Sequence, residues 1–362
     1  MLISAVILLA ACSDDTDRSD SLPDDSDVLR IAAYTQDLIS PYQPAATRAV
    51  TVPSGYIPYE GSASIGVFMT KSSTTDNSTE MTLISYEDNA WHSMVKVTPE
   101  TQYYIYGYMP AYATCVISPN NSFEDGAVLT FNNVPSVMSE DFSVITGVLQ
   151  LQPDNAGNPV QEGTLKAGTF AYMGKESGKN FVDLMFDHLY GALNINLKVA
   201  DNYNSLRTIK LKELRLRTIV NGTPSKSKTN VTVTLNKTAG ETPISNVVYE
   251  PTGEDVGDLT FFQSATGKEL GTTDYESFMG HFMPEGITTF VVTSVYDVYD
   301  KQGNLIRKDC TAENTLELID LYDRQLETMR GYKYTIKLTV MPTYLYMLSE
   351  PDLNSPTAVV SD

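Results

Sequence analysis

Tyr332-Lys333-Tyr334-Thr335-Ile336-Lys337-Leu338-Thr339-Val340 alternates apolar or aromatic residues with polar ones along its whole length. Side chains on an extended chain point to opposite faces in turn, so this stretch reads as a strand with one face buried and one wet. Similar runs recur outward from it. Thr289-Phe290-Val291-Val292-Thr293-Ser294-Val295-Tyr296, Val231-Thr232-Val233-Thr234-Leu235 and Ala192-Leu193-Asn194-Ile195-Asn196-Leu197-Lys198-Val199 carry the pattern through the second half. Tyr103 to Tyr108, Ser64 to Met69 and Val28 to Tyr34 carry it through the first. Gly, Pro, Asn and Asp separate the runs, as at Asp300-Lys301-Gln302-Gly303-Asn304, which reads as a hairpin turn. Helical periodicity is confined to Thr315 to Leu326, where Leu316, Ile319 and Leu326 would form a short apolar stripe. The expectation is an all-β chain. About twenty short segments exceed one comfortable sandwich, so two are expected: 28–183 and 184–362.

The chain of 362 residues is 42% hydrophobic and 19% charged, an ordinary globular composition. Its 45 Asp and Glu against 25 Lys and Arg leave a formal net charge of −20. Such a surface repels phosphate backbones and anionic lipid, which argues against a nucleic-acid partner. Three cysteines are too few for a disulfide scaffold, and Cys115 and Cys310 are expected as two separate buried thiols. One Trp and 22 Tyr make the aromatic content mostly amphipathic rings, suited to strands and half-exposed faces.

Residues 1–12, MLISAVILLAAC, are too short for a membrane span and fit the apolar core of an export signal. No Lys or Arg precedes the apolar run, so the true start is expected upstream or the segment is truncated. Leu9-Ala10-Ala11-Cys12 resembles the lipobox of bacterial lipoproteins, in which the Cys12 thiol carries lipid; the alternative is an ordinary secretory signal. Residues 13–27, SDDTDRSDSLPDDSD, have almost no apolar content and read as an acidic, solvated tether. Ser13-Asp14-Asp15 also looks like an acidic surface-export tag.

Catalytic constellations are missing. His92, His188 and His281 lack metal-motif spacing, and no Gly-x-Ser-x-Gly elbow or phosphate-binding glycine loop occurs. His188 reads as a sandwich-edge histidine satisfied by a hydrogen bond. Gly253 to Asp258 lacks EF-hand spacing and reads as an exposed turn. No enzyme activity, cofactor or metal is expected.

In order along the chain, several segments resemble the fimbrillins, the type V pilus subunits and their Mfa-like relatives. Leu29-Arg30-Ile31-Ala32-Ala33-Tyr34 followed by Ala46-Thr47-Arg48-Ala49 is similar to their first strand and processing arginine. Ile65-Gly66-Val67-Phe68, Ala90-Trp91 and Tyr104-Ile105-Tyr106-Gly107-Tyr108-Met109-Pro110 come next in family order. Phe186-Asp187-His188-Leu189 resembles the approach to the family's second domain, and Arg330-Gly331-Tyr332-Lys333-Tyr334-Thr335-Ile336 its near-terminal strand.

The resemblance implies two tandem transthyretin-like Greek-key β-sandwiches and assembly by strand replacement. A lipoprotein precursor, held in the outer membrane through Cys12, would be cut after Arg48 to leave Ala49 at the new terminus. The strand carrying Leu29, Ile31 and Ala33 on one face would leave, and another subunit's strand would fill the groove. Residues 343–362 supply the candidate donor, with Tyr344, Leu345, Tyr346, Met347 and Leu348 as its apolar part. The same residues read equally well as the final strand of the second sandwich. Other pilus subunits are the implied partners, with a host protein or glycan as receptor and the fimbrium as location. A tip or anchor adhesin, or a monomeric glycan-binding lipoprotein, is the alternative.

Overall fold

The computed structural model describes residues 27–39, 56–59, 61, 63–71, 81–111, 114–150, 169–220, 223–224, 227–237, 247–256, 258–284, 286–319, 325–341, 346–349 and 357–360. Strands make up nearly all of its regular structure. The first half holds β1 (Arg30–Gln36), β2 (Tyr56–Pro58), β3 (Ile65–Thr70), β4 (Met81–Glu87), β5 (Ala90–His92) and β6 (Gln102–Met109). It continues with β7 (Thr114–Asn120), β8 (Ser122–Asn132), β9 (Val137–Met138), β10 (Ser143–Gln150) and β11 (Ala171–Met173). The middle holds β12 (Phe181–His188), β13 (Gly191–Val199), a single helical turn α1 (Asp201–Asn204), β14 (Thr208–Val220) and β15 (Thr223–Pro224). Then come β16 (Ser227–Asn236), β17 (Val247–Val256), β18 (Leu259–Glu269), β19 (Glu276–Phe282) and β20 (Thr289–Tyr299). Last are β21 (Leu305–Ile319), β22 (Lys333–Met341), β23 (Tyr346–Ser349) and β24 (Thr357–Val360). The fold is therefore all-β, as the alternation requires.

Four sheets organise these strands. The largest runs β2-β1-β12-β10-β6-β3-β4-β5, with β11 alongside β6. A second runs β17-β16-β8-β7. The third runs β23-β22-β13-β19-β9 and the fourth β15-β14-β20-β21-β24, with β18 on β14. The third and fourth sheets sandwich one apolar core, in which Leu193, Ile195 and Leu197 of β13 face Leu214, Leu216, Phe290 and Leu316. The first two sheets sandwich another, rich in rings: Tyr106, Tyr108, Phe123, Phe131 and Phe142, with Val231 and Val233.

A third core has a different origin. Leu29, Ala33, Ile65, Val67, Ile84, Ile105, Ile145, Leu184 and Phe186 all come from strands of the largest sheet or the residue just before its first strand. One sheet can enclose a core only by curling on itself. Its two ends meet at β1: Val28 bridges Lys96, just beyond β5, and Leu29 N donates to Val95 O at 2.8 Å.

Three expectations change. Thr315 to Ile319 is strand and not helix; these residues belong to β21, where Cys310, Ala312, Asn314, Leu316 and Leu318 are buried in strict alternation, and 320–324 lie outside the described residues. The period of two wins because Leu316 and Leu318, not Ile319, face the core. Half of the tyrosines whose burial is described lie deeper than a half-exposed face: Tyr103, Tyr104, Tyr106, Tyr108, Tyr172, Tyr190, Tyr296 and Tyr334 are buried, and as many are half-buried. Several reach a hydroxyl partner, as where Tyr106 donates to Phe123 O at 2.6 Å and Tyr172 to Asn180 Oδ1 at 2.8 Å, which removes the cost of burying the group. Third, Gly253 to Val256 lies in β17 rather than in a turn.

The expected division near residue 184 falls inside β12. Strands also cross it: β16 pairs with β8, and β9 pairs with β19. Cys115 and Cys310 are free thiols, the second buried and the first partly so.

Candidate functional site, the seat of the first strand

The sequence of β1 explains its position. Leu29 is 0% exposed and Ala33 2%, both facing the core enclosed by the curled sheet, with Ile31 half-buried between them. The structure thus brings together the three residues expected on one face. The strand is Arg30–Gln36 rather than Val28 to Tyr34, a shift of two residues.

Its main chain is bound on both sides. It runs parallel to β12, with Arg30 opposite Phe181 and Tyr34 opposite Met185. Parallel pairing means that the two strands cannot form a simple hairpin, so β1 is a long-range insertion. On the outer side, among the described residues, its C-terminal half meets the three residues of β2, antiparallel, while the residues just before it meet Val95 to Val97. Arg30 N donates to Asn180 O at 2.8 Å, and Tyr59 N donates to Ala33 O at 2.8 Å. The Arg30 guanidinium lies 5.2 Å from the centre of the Phe181 ring.

Beyond β1 the chain crosses to the second sandwich. Ile39 N donates to Gly331 O at 2.8 Å, and Lys333 N donates to Ile39 O at 2.9 Å, a parallel bridge to Tyr332. One continuous segment, 28–39, therefore touches both sandwiches. Where it crosses, a cleft of about 470 Å³ is lined by Gln36, Asp37, Tyr59, Asp141, His188 and Lys333, among others.

His188 stands at that crossing, 3% exposed. Its Nδ1 contacts Asp141 Oδ2 at 2.5 Å and its Nε2 contacts Gln36 O at 2.8 Å. A carboxylate and a carbonyl only accept, so both ring nitrogens must donate and the ring is an imidazolium. Burial alone would pull its pKa down, but the hydrogen bond and charge of Asp141, with Asp187 adding, carry it above the ordinary value. Burial likewise works against ionised Asp141, and His188 overrides it to hold that carboxyl below its usual value. Gly331, at φ +69°, packs against the ring; a Cβ there would lie 3.2 Å from His188 Cδ2. Arg330 closes the back, donating from Nη1 to His188 O at 3.1 Å.

Asp183 carries the reverse balance. It sits opposite Ala32 in the β1–β12 ladder, and its Oδ1 has no hydrogen-bond partner among the described residues. Burial pushes its carboxyl up to about 6.

The other expected site residues lie elsewhere. Cys12, Arg48, Ala49, Tyr344 and Leu345 fall outside the described residues. Tyr346, Met347 and Leu348 belong to β23, paired antiparallel to Met341, Val340 and Thr339 on the edge of β22. Thr357–Val360 pairs with β21 in the opposing sheet. Sequence reasoning missed Gln36, Ile39 and Asp141 altogether, and saw His188 only as a satisfied histidine. Nothing near Asp141 in the sequence marks it.

No family model matches the chain, and no curated protein matches it. Solved structures do. A fimbrial protein from Bacteroides vulgatus is 13% identical, with 90% of this chain and 98% of that one covered at a TM-score of 0.38. A candidate cell adhesion protein from Bacteroides uniformis is 16% identical over 90% and 99% of the two chains, with a TM-score of 0.42. Another from Bacteroides ovatus is 11% identical over 92% and 99%, at 0.39. Likeness this distant transfers no residue role to this chain.

Proposed function

We propose that the chain is the precursor of a structural subunit of a cell-surface type V pilus, assembled by protease-triggered strand replacement and serving in adhesion. The observation that carries this reading is the position of β1. It is the stave at which the curled sheet's two ends meet, it is reached by a parallel crossing, and among the described residues its outer side is covered by short pieces, the three-residue β2 and the Val95 to Val97 stretch. Lifting it out would expose the main-chain edge of β12 and the core lining of Val182, Leu184 and Phe186. An extended strand from another subunit would restore both.

Magnitudes fit a strand that is held yet replaceable. One fully buried leucine, one buried alanine and a half-buried isoleucine contribute on the order of 3–6 kcal/mol of apolar burial. A longer, more apolar donor would outcompete it. In this reading Cys12 carries the lipid that holds the precursor in the outer membrane, and residues 13–27 are the tether. Cleavage after Arg48 frees β1, and residues 343–362 supply the donor. The role is structural rather than catalytic, and the two units are transthyretin-like sandwiches.

One observation favours a tip or anchor subunit of the same pilus. β23 and β24 are both paired within this chain's own second sandwich, as a subunit that donates no strand would have them. A glycan-binding platform has less support, since the tyrosines whose side-chain burial is described are buried or half-buried.

The test uses the soluble chain from Ser13, treated with a trypsin-like protease. The expected result is a new terminus at Ala49, followed by laddered multimers in size-exclusion chromatography and filaments in electron micrographs. Deleting residues from Tyr344 onward should abolish them in a shaft subunit. A chain that is cut but stays monomeric even with added donor peptides overturns strand replacement.

A further inference from the structure

We propose that His188, paired with Asp141, is the register pin of the first-strand seat: it fixes the strand in place by donating to the main-chain carbonyl at the Gln36 position. Main-chain ladders alone set register weakly. A parallel strand can slide by two residues and recover every ladder bond, with the same face inward. Leu29 resists such a slide through its buried side chain, but Ala33 adds little, because an alanine fits most sites. A fixed, charged donor at the end of the strand resists it strongly, since a slide would leave a buried imidazolium N–H without an acceptor.

The geometry suits the task. The imidazolium is immobilised from all sides: Asp141 holds Nδ1, Gly331 packs on the ring, and Arg330 holds the residue's own carbonyl. The remaining donor, Nε2, aims at the strand. The acceptor is a carbonyl, so the pin reads chain position and not side-chain identity, as a seat for replaceable strands requires. Past the pin, Ile39 docks between Gly331 and Lys333. The class of partner is thereby specified: an extended segment, parallel to β12, that presents a free carbonyl to His188 and continues for about three more residues onto the second sandwich.

The pin is sensitive to pH. The titratable and charged groups facing His188 are Asp141, Asp187 beside it, Asp37 just after β1, Tyr59 just after β2, Arg330 ahead of β22, Lys333 at its start, and His281 on β19. Its raised pKa means its grip is complete below the ordinary value near 6.5 and is lost as pH rises through the folded value. Retention of β1 should therefore weaken toward alkaline pH.

The incoming-strand part rests on the pilus reading; the pin itself is a property of the intact chain and is tested there. The experiment is hydrogen exchange by mass spectrometry on the uncleaved chain from Ser13, between pH 6 and 9, with rates corrected for intrinsic pH dependence. In the wild type, protection across residues 30–39 should fall by about tenfold more than in β13 as pH rises, the worth of a charge-assisted bond. In His188→Gln, whose amide can still donate but cannot titrate, that excess fall should vanish. Should His188→Gln misfold, Asp141→Asn should reduce the excess and move its midpoint down. Equal pH profiles in the wild type and in the folded variants overturn the pin. Failure of cleavage or polymerisation would leave this result untouched and overturn only the pilus reading.

Discussion

Replacing Leu29 by alanine asks most directly whether β1 is separable from the body it closes. Leu29 is fully buried and packs in the core enclosed by the curled sheet. Truncating a buried leucine costs about 2–5 kcal/mol. Ala33 adds little apolar surface and Ile31 is only half-buried, so Leu29 supplies most of the strand's grip. If β1 opens as its own unit, the loss falls on that opening. Even a loss of about 2 kcal/mol lowers the protection of its amides by about thirtyfold. Amides of Leu193 to Leu197 in β13 pack in a different core and should not change. Native-state hydrogen exchange on Leu29→Ala and wild type gives both numbers at once. A uniform loss across β1 and β13 would refute the reasoning, because the strand would then belong to the global cooperative unit. So would an unchanged β1, which would mean that the main-chain ladders alone hold it.

Further outcomes concern Asp183, in the β1–β12 ladder, and two glycines elsewhere. Asp183 has a folded pKa raised to about 6, so the ionised side chain costs stability as pH climbs from about 4 to 6 and the cost persists above. Asp183→Asn should therefore be more stable than wild type at pH 8, by about 3 kcal/mol, with the gap narrowing to about 1 kcal/mol at pH 4.5; denaturant titrations at both pH values check this, and a pH-independent gap counts against it. Gly126, at φ +149°, lies where an added Cβ would sit 1.9 Å from Leu235 O. Gly126→Ala should part β8 from β16 and cost more than about 1 kcal/mol, read as a lowered Tm. Gly147→Ala, whose nearest neighbour would be Met185 Sδ at 3.4 Å, should lose less.

Strand identity was legible because alternation is a local property. Ala192 to Val199 and Tyr332 to Val340 read as strands and are strands, β13 and β22, lying parallel in one sheet. The same logic placed Leu29, Ile31 and Ala33 on one face. It failed at Thr315 to Leu326, where Ile319 sits one residue from Leu318 and suggests a helical step that the buried alternation of β21 overrides. Partners were not legible at all. Asp141 stands 47 residues from His188 and Gln36 stands 152 residues away, and neither neighbourhood carries a spacing motif. Period-two patterning says which side of a strand is wet; it says nothing about which strand lies beside it. That is why the crossing of β8 to β16 and of β9 to β19 emerged only in three dimensions.

The pairing of β8 with β16 also sets an order of events during synthesis. When the ribosome has delivered the chain only as far as β13, β8 has β7 on one side and bare water on the other. The partner strand and the side chains that cover Phe131 and Leu129, namely Val231, Val233 and Leu235, are still to come. The early half cannot mature before the late half arrives, so the nascent chain must wait, incompletely packed. It also means that the two halves cannot be shuffled between relatives as independent cassettes: a recombination point near residue 184 would give each product a ladder with the wrong neighbour.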